Sequence, residues 1–190
     1  DKDCPSCRQY LYGDENAIVR RWLRAGADGW RLAVADELPD SFIAGLRQAV
    51  EQENPNAMVL GEVWEDGSNK IAYGVRRKHL LGGHLDGLMN YPFRTAALDY
   101  LLGGDAAAFR SALEVLREHY PPFAFHNAMN FLGTHDTPRA LTLLAMGSPC
   151  MEQSRQWRAD LRLNEEQRRR GKDLLKAGSA LLFCFPGSPT

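Results

Sequence analysis

Short apolar runs that end in polar clusters, separated by stretches of helical period, constrain this chain more than any other feature. Gly29-Trp30-Arg31-Leu32-Ala33-Val34-Ala35-Asp36-Glu37 is followed by Gly61-Glu62-Val63-Trp64 and later by Thr134-His135-Asp136. Strands separated by helical lengths are joined by right-handed crossovers and make a parallel sheet. Such a sheet carries its chemistry at the carboxyl ends of its strands, where these clusters fall. The expected fold class is α/β, with one site assembled from several strand ends.

The periodicities give the element order. Ile18, Val19, Trp22 and Leu23 form a helical stripe, with Asp14 as cap and Gly26 as stop. Residues 27–35 read as a strand. Pro39 opens a helix carrying Phe42, Ile43, Leu46, Ala49 and Val50, which Asn54-Pro55 ends. Residues 57–61 read as a strand, 71–81 as a helix ending at Gly82-Gly83, 85–89 as a strand and 96–102 as a helix. A helix over 106–119, capped by Asp105, precedes Pro121-Pro122 and a strand around 129–132. Residues 140–145 and 165–177 read as helices and 180–185 as a final strand.

Composition excludes several partners. The 190 residues suit one domain or a piece of a larger one, and 23 basic against 24 acidic side chains leave no field for a polyanion. Arg168, Arg169 and Arg170 read as a solvated helix face beside Glu165 and Glu166, so no nucleic-acid partner is expected. No apolar stretch reaches the roughly eighteen residues of a membrane span, and no membrane partner is expected. The opening Asp1-Lys2-Asp3 lacks the regions of a signal peptide, and location stays open between cytoplasm and secretion. Cys4 and Cys7 lack a second close pair, Cys150 and Cys184 lie far away, and Cys184 reads as a small buried thiol. No metal site is expected.

Residues two apart on a strand share a face, so Arg31 and position 33 point the same way. A cation beside an acid at position 33 would hold it ionised, as a nucleophile requires, yet the residue there is Ala33. The missing acid leaves Arg31 without its partner. Glu62 has apolar neighbours, Val63 and Trp64, that favour the protonated form a general acid needs. Two carboxyls in opposite environments are the working parts of a retaining glycosidase.

Four segments carry a specific resemblance. Gly26 to Glu37, Gly61-Glu62-Val63-Trp64, Met89-Asn90-Tyr91-Pro92-Phe93 and Phe131-Leu132-Gly133-Thr134-His135-Asp136-Thr137-Pro138-Arg139 resemble the alpha-amylase family of glycoside hydrolases. Val34-Ala35-Asp36-Glu37 and Met89 to Phe93 are most similar to its neopullulanase, cyclomaltodextrinase and maltogenic amylase branch. The resemblance implies a (β/α)8 TIM barrel, of which this chain matches the later strands, from the helix before strand 4 into strand 8. It makes Glu62 the acid/base and Arg31 the residue that orders the nucleophile. His135 and Asp136 match the pair that grips sugar hydroxyls and steadies the oxocarbenium-like transition state. Tyr91 and Trp64 are candidate sugar contacts, whereas Trp30 reads as barrel wall.

The implied activity is that of a retaining alpha-glycosidase on starch, pullulan or cyclodextrin-type alpha-1,4 linkages, with an alpha-glucan oligosaccharide or polysaccharide as partner. The matching nucleophile position is Ala33, and a methyl group cannot attack an anomeric carbon, so this chain is expected to be inactive. An engineered substitution is the simplest account, natural decay the second. No cofactor is expected; structural calcium in the complete protein and a homo-oligomer stay open. Two other classes remain: a non-catalytic alpha-glucan binder and an unrelated nucleotide-binding α/β protein. The latter needs a Gly-rich loop between strand and helix, whereas Gly82-Gly83 and Gly103-Gly104 sit where helices end. His79, His84, His119 and His126 read as ordinary surface or loop residues, and His135-Asp136 could also cap a following helix.

Overall fold

Three parallel strands, Gly29–Leu32, Met58–Gly61 and Gly87–Leu88, lie side by side in that order in the computed structural model, which describes residues 1–147 and 153–190. Arg31 is in register with Leu60, Leu32 with Gly61, and Leu60 with Gly87. A parallel bridge from Met89 to Met129 continues the order. These strands belong to the first of two units, residues 1–90 with 116–129; residues 91–115 with 130–190 form the second.

In the first unit the helix Asp40–Glu53 links the first two strands, and Phe42, Ile43, Leu46, Ala49 and Val50 are all buried. Their helical spacing puts them on one stripe, and burying each of the larger ones is worth about 1.5–3 kcal/mol. Pro39 is the N-cap and Asn54 the C-cap. The preceding helix is Ile18–Arg24, with Ala17 as N-cap, so the Asp14 side chain does not cap it; Asp14 gives only its carbonyl, to the Ala17 N–H. Val19 and Leu23, four apart, are buried, while Trp22 is exposed.

Residues 71–81 do not form the expected helix. Ile71–Ala72 and Val75–Arg76 are antiparallel strands of a hairpin turning at Tyr73-Gly74. Ile71 and Val75 are β-branched, but each strand has only two residues and both side chains are exposed, so no core face imposes a period and the wider apolar spacing reads as helix.

The second unit is helical: Tyr91–Leu101, Ala140–Met146, Arg155–Asp160 and Glu165–Cys184. Leu98, Leu143 and Leu144 form its core, with Leu174, Leu175 and Trp157 packed against them. The helix Ala106–His119 starts as Asp105 accepts the Ala108 N–H at 2.9 Å. Residues 180–185 are not a strand, because the helix that Asn164 and Gln167 cap reciprocally runs on to Cys184. Leu174, Leu175, Gly178 and Leu182 keep one helical stripe through the region, and a short apolar run alone does not separate strand from buried helix. The last strand is Ser188–Pro189, and after it Thr190 N–H donates to the Asn130 carbonyl at 2.9 Å within the same unit. Among the described residues no sheet closes on itself, and no helix is long and apolar enough to cross a membrane.

Gly87 shows how tightly the chain approaches the sheet. A Cβ there would lie 2.4 Å from the Asn127 carbonyl oxygen, which is backbone and cannot swing away. Gly87→Ala is expected to cost about 1–3 kcal/mol of stability in urea unfolding. An unchanged midpoint would contradict this packing.

Candidate active site

The strand ends of the first unit are stitched by backbone and side chain together. Glu62 N–H donates to the Leu32 carbonyl at 2.9 Å, and the Glu62 carbonyl accepts the Ala35 N–H at 2.9 Å. Between them Val34 adopts φ 47° and ψ 56°, a left-handed conformation that β-branched residues rarely take. This kink turns the Val34 N–H onto Glu62 Oε2 at 2.8 Å. Glu62 is buried at 4% exposure, Arg31 Nη2 lies 3.0 Å from its Oε2, and Trp64 Nε1–H donates to its Oε1 at 3.2 Å.

Arg31 and Ala33 are exposed while Leu32 between them is buried, but the strand ends at Leu32 and Ala33 opens the turn that follows. Arg31 does not stand without a partner, however. It pairs with Glu62, and its Nε–H meets Met89 Sδ at 3.3 Å. Trp64 is 50% exposed and acts on Glu62 as a donor, not as an apolar wall. Each of these contacts takes Glu62 as the acceptor, the role of a carboxylate.

Beyond Val34, the turn Ala35–Glu37 is anchored from two sides. Asp36 Oδ1 is 2.9 Å from His79 Nε2, and its Oδ2 is 3.5 Å from Lys70 Nζ, which also pairs with Glu65. Glu37 accepts the Tyr73 hydroxyl at 2.6 and 2.5 Å on its two oxygens, and Lys2 Nζ lies 3.5 Å away. The Tyr73 hydrogen bond holds the Glu37 carboxyl below the usual range. Arg77 faces Asp40 at 3.7 Å and donates to the Leu38 carbonyl. Sequence reading passed over this network, although Asp36 and Glu37 stand in the run quoted first and Gly74 is a turn signal.

His79 is wholly buried and not a surface residue. Burial lowers its pKa, with Asp36 opposing. The unfolded chain then takes up the proton more readily, so this contribution to stability is full above about pH 6.5 and is lost as pH falls through the depressed value. Urea midpoints should fall between about pH 7.5 and about pH 5.5, and His79→Gln should flatten that slope. An equal slope in the variant would remove His79 from the account. His119, by contrast, is half-exposed and bonds Asp66 Oδ2 at 2.5 Å, and His84 bonds the Gly82 carbonyl at 2.9 Å.

In the second unit, His135 Nε2 and Asp136 Oδ2 are 3.2 Å apart on an exposed loop. Thr134 and Thr137 brace it: Thr134 N–H donates to Thr137 Oγ1 at 2.8 Å, and Asp136 N–H to Thr134 Oγ1 at 3.2 Å. Neither residue caps a helix, since Ala140–Met146 follows Arg139 as N-cap. Tyr91 is buried, its ring edge-on to Phe131 at 4.8 Å, so it stands in the packing of this unit and not on open surface. The structure thus brings Arg31, Glu62 and Trp64 together with position 33 in one unit, and His135 with Asp136 in the other.

Cys4, Cys7 and Cys184 are free thiols; Cys184 is exposed at a helix end and not buried, and Cys150 lies outside the described residues. Among the described residues no group of three or more His, Cys, Asp or Glu is gathered to hold a metal ion.

Three parallel strands, the first two joined through a helix, with an arginine and a buried glutamate at neighbouring strand ends, fit the framework of a (β/α)-barrel enzyme. Residues 1–164 match the alpha amylase catalytic domain, and the chain belongs to that family. It is 32% identical over 203 residues to an amylopullulanase of Thermoanaerobacter thermohydrosulfuricus, covering 97% of this chain and 12% of that protein. Neopullulanase 2 of Thermoactinomyces vulgaris is 35% identical over 140 residues, covering 73% of this chain and 22% of that protein. A cyclic alpha-maltosyl-(1→6)-maltose hydrolase from Arthrobacter globiformis superimposes with a TM-score of 0.74 at 26% identity, covering 98% of this chain and 34% of the other. The chain spans 12% and 22% of those two curated relatives, and its fold is a partial (β/α)8 barrel.

Proposed function

We propose that the complete protein carrying this chain is built to act on alpha-glucans of the starch, pullulan or cyclodextrin kind through a retaining glycosidase site, and that Ala33 leaves this form without its nucleophile. The chain would supply the barrel from the helix before strand 4 into strand 8. One observation carries the reading: Glu62, buried at a strand end, is fixed by Arg31 at 3.0 Å and by the main-chain N–H of Val34, the residue next to position 33. Amylopullulanase and neopullulanase relatives support the substrate class.

In this reading Glu62 protonates the glycosidic oxygen and later takes a proton from water, while Trp64 helps orient it. Arg31 pairs with Glu62 here and would also steady an acid at position 33. His135 and Asp136 hold sugar hydroxyls and stabilise the developing cation. The covalent step fails at Ala33 because its methyl group offers no electron pair. A second reading, a non-catalytic alpha-glucan binder, is favoured by one feature: Arg31 already has Glu62 as its partner, so the loss of an acid leaves no isolated cation.

An external nucleophile separates the two. With azide and an alpha-glycoside bearing a good leaving group, the complete protein should form the beta-glycosyl azide by single displacement, at a rate rising with azide concentration. Sugar binding without azide-dependent product would support the binder. Full hydrolysis without added anion would remove position 33 from the nucleophile role.

A further inference from the structure

The hairpin after Glu62 carries a residue that folding alone does not explain. Ala72 pairs with Val75, leaving Tyr73-Gly74 as a two-residue loop in which both residues have positive φ, 52° and 74°. Such a loop favours Asn or Asp before Gly, because a bulky side chain is strained at positive φ. Tyr73 nevertheless stands there, with no core to fill, at 77% exposure. Strained residues held by their surroundings cluster at functional sites.

What holds Tyr73 is Glu37. Its hydroxyl donates to both Glu37 oxygens, at 2.6 and 2.5 Å, and Lys2 Nζ lies 3.5 Å from the same carboxylate. Glu37 closes the turn that begins two residues after Ala33, and Ala35 of that turn bonds the Glu62 carbonyl. The ring is therefore fixed at its tip, open on its face, and tied to the segment leaving the nucleophile position. A rigid exposed aromatic face suits the C–H face of a pyranose ring, and the carboxylate keeps lone pairs for a sugar hydroxyl.

We infer that Tyr73, with Glu37, forms a stacking platform for a glucose unit of a longer alpha-glucan, away from the bond at Glu62, and so sets preference for chain length. This rests on the alpha-glucan reading of the site. Titration calorimetry of the complete Ala33 protein with maltose and with maltohexaose tests it, since that form leaves the sugars uncleaved. Tyr73→Asn removes the ring while suiting the turn: it should raise the unfolding temperature, weaken maltohexaose about fivefold and leave maltose unchanged. Tyr73→Phe keeps the ring but frees its tip from Glu37, and should lose less maltohexaose affinity than Tyr73→Asn, about twofold. Unchanged maltohexaose binding in Tyr73→Asn, equal loss for both sugars, or a loss in Tyr73→Phe as large as in Tyr73→Asn would each overturn the platform. If the unaltered protein bound neither sugar, the alpha-glucan reading itself would fall and the platform with it.

Discussion

Ala33→Asp in the complete protein is expected to raise hydrolysis of maltooligosaccharides by about four orders of magnitude or more, with retention at the anomeric carbon. Position 33 is exposed two residues after Arg31, and the new carboxylate is expected to reach its guanidinium. That cation would favour the ionised form a nucleophile requires. Arg31 need not abandon Glu62 to do this, because a guanidinium carries several donors in a fixed fork. The two carboxyls should then lie about 5–5.5 Å apart, as retention demands. An inverted product, or no gain in rate, would defeat the assignment.

Glu62→Gln in that restored protein should cost about a hundredfold to ten-thousandfold on natural linkages, and much less on substrates whose leaving group departs unprotonated. The amide oxygen of glutamine still accepts the Val34 N–H, so the main-chain anchor survives while the transferable proton and the Trp64 hydrogen bond are lost. Uniform loss across leaving groups would point to collapse of the strand end and not to missing acid chemistry. Comparing the two substrate types is therefore the decisive measurement.

Much of this was legible in the sequence where one period dominates. Phe42, Ile43, Leu46, Ala49 and Val50 define the helix Asp40–Glu53 because every large apolar residue on it faces the core. The strand end at Glu62 was legible for a different reason: it is a polar residue placed where the apolar run Met58–Gly61 stops. Where two periods overlap, the reading failed. The hairpin at Tyr73 was hidden because Ile71, Tyr73 and Val75 face solvent, so burial imposes no pattern on them. The end of the helix Glu165–Cys184 was hidden because six apolar residues in a row, 180–185, fit either element, and packing through Gly178 against Leu101 and Leu132 decides between them. His79 and Asp36 lie 43 residues apart, and no local signal joins them.

The bond that aims Glu62 comes from the peptide group of Val34, not from a side chain. Peptide groups are indifferent to most side-chain changes: any residue but proline at position 34 keeps that N–H, and exchanging Ala33 for Asp does not remove it. The chemistry of such a site and its architecture are consequently encoded apart. A lineage could lose the reaction at one codon, keep the moored acid for as long as the strands endure, and regain the reaction by a single reversal.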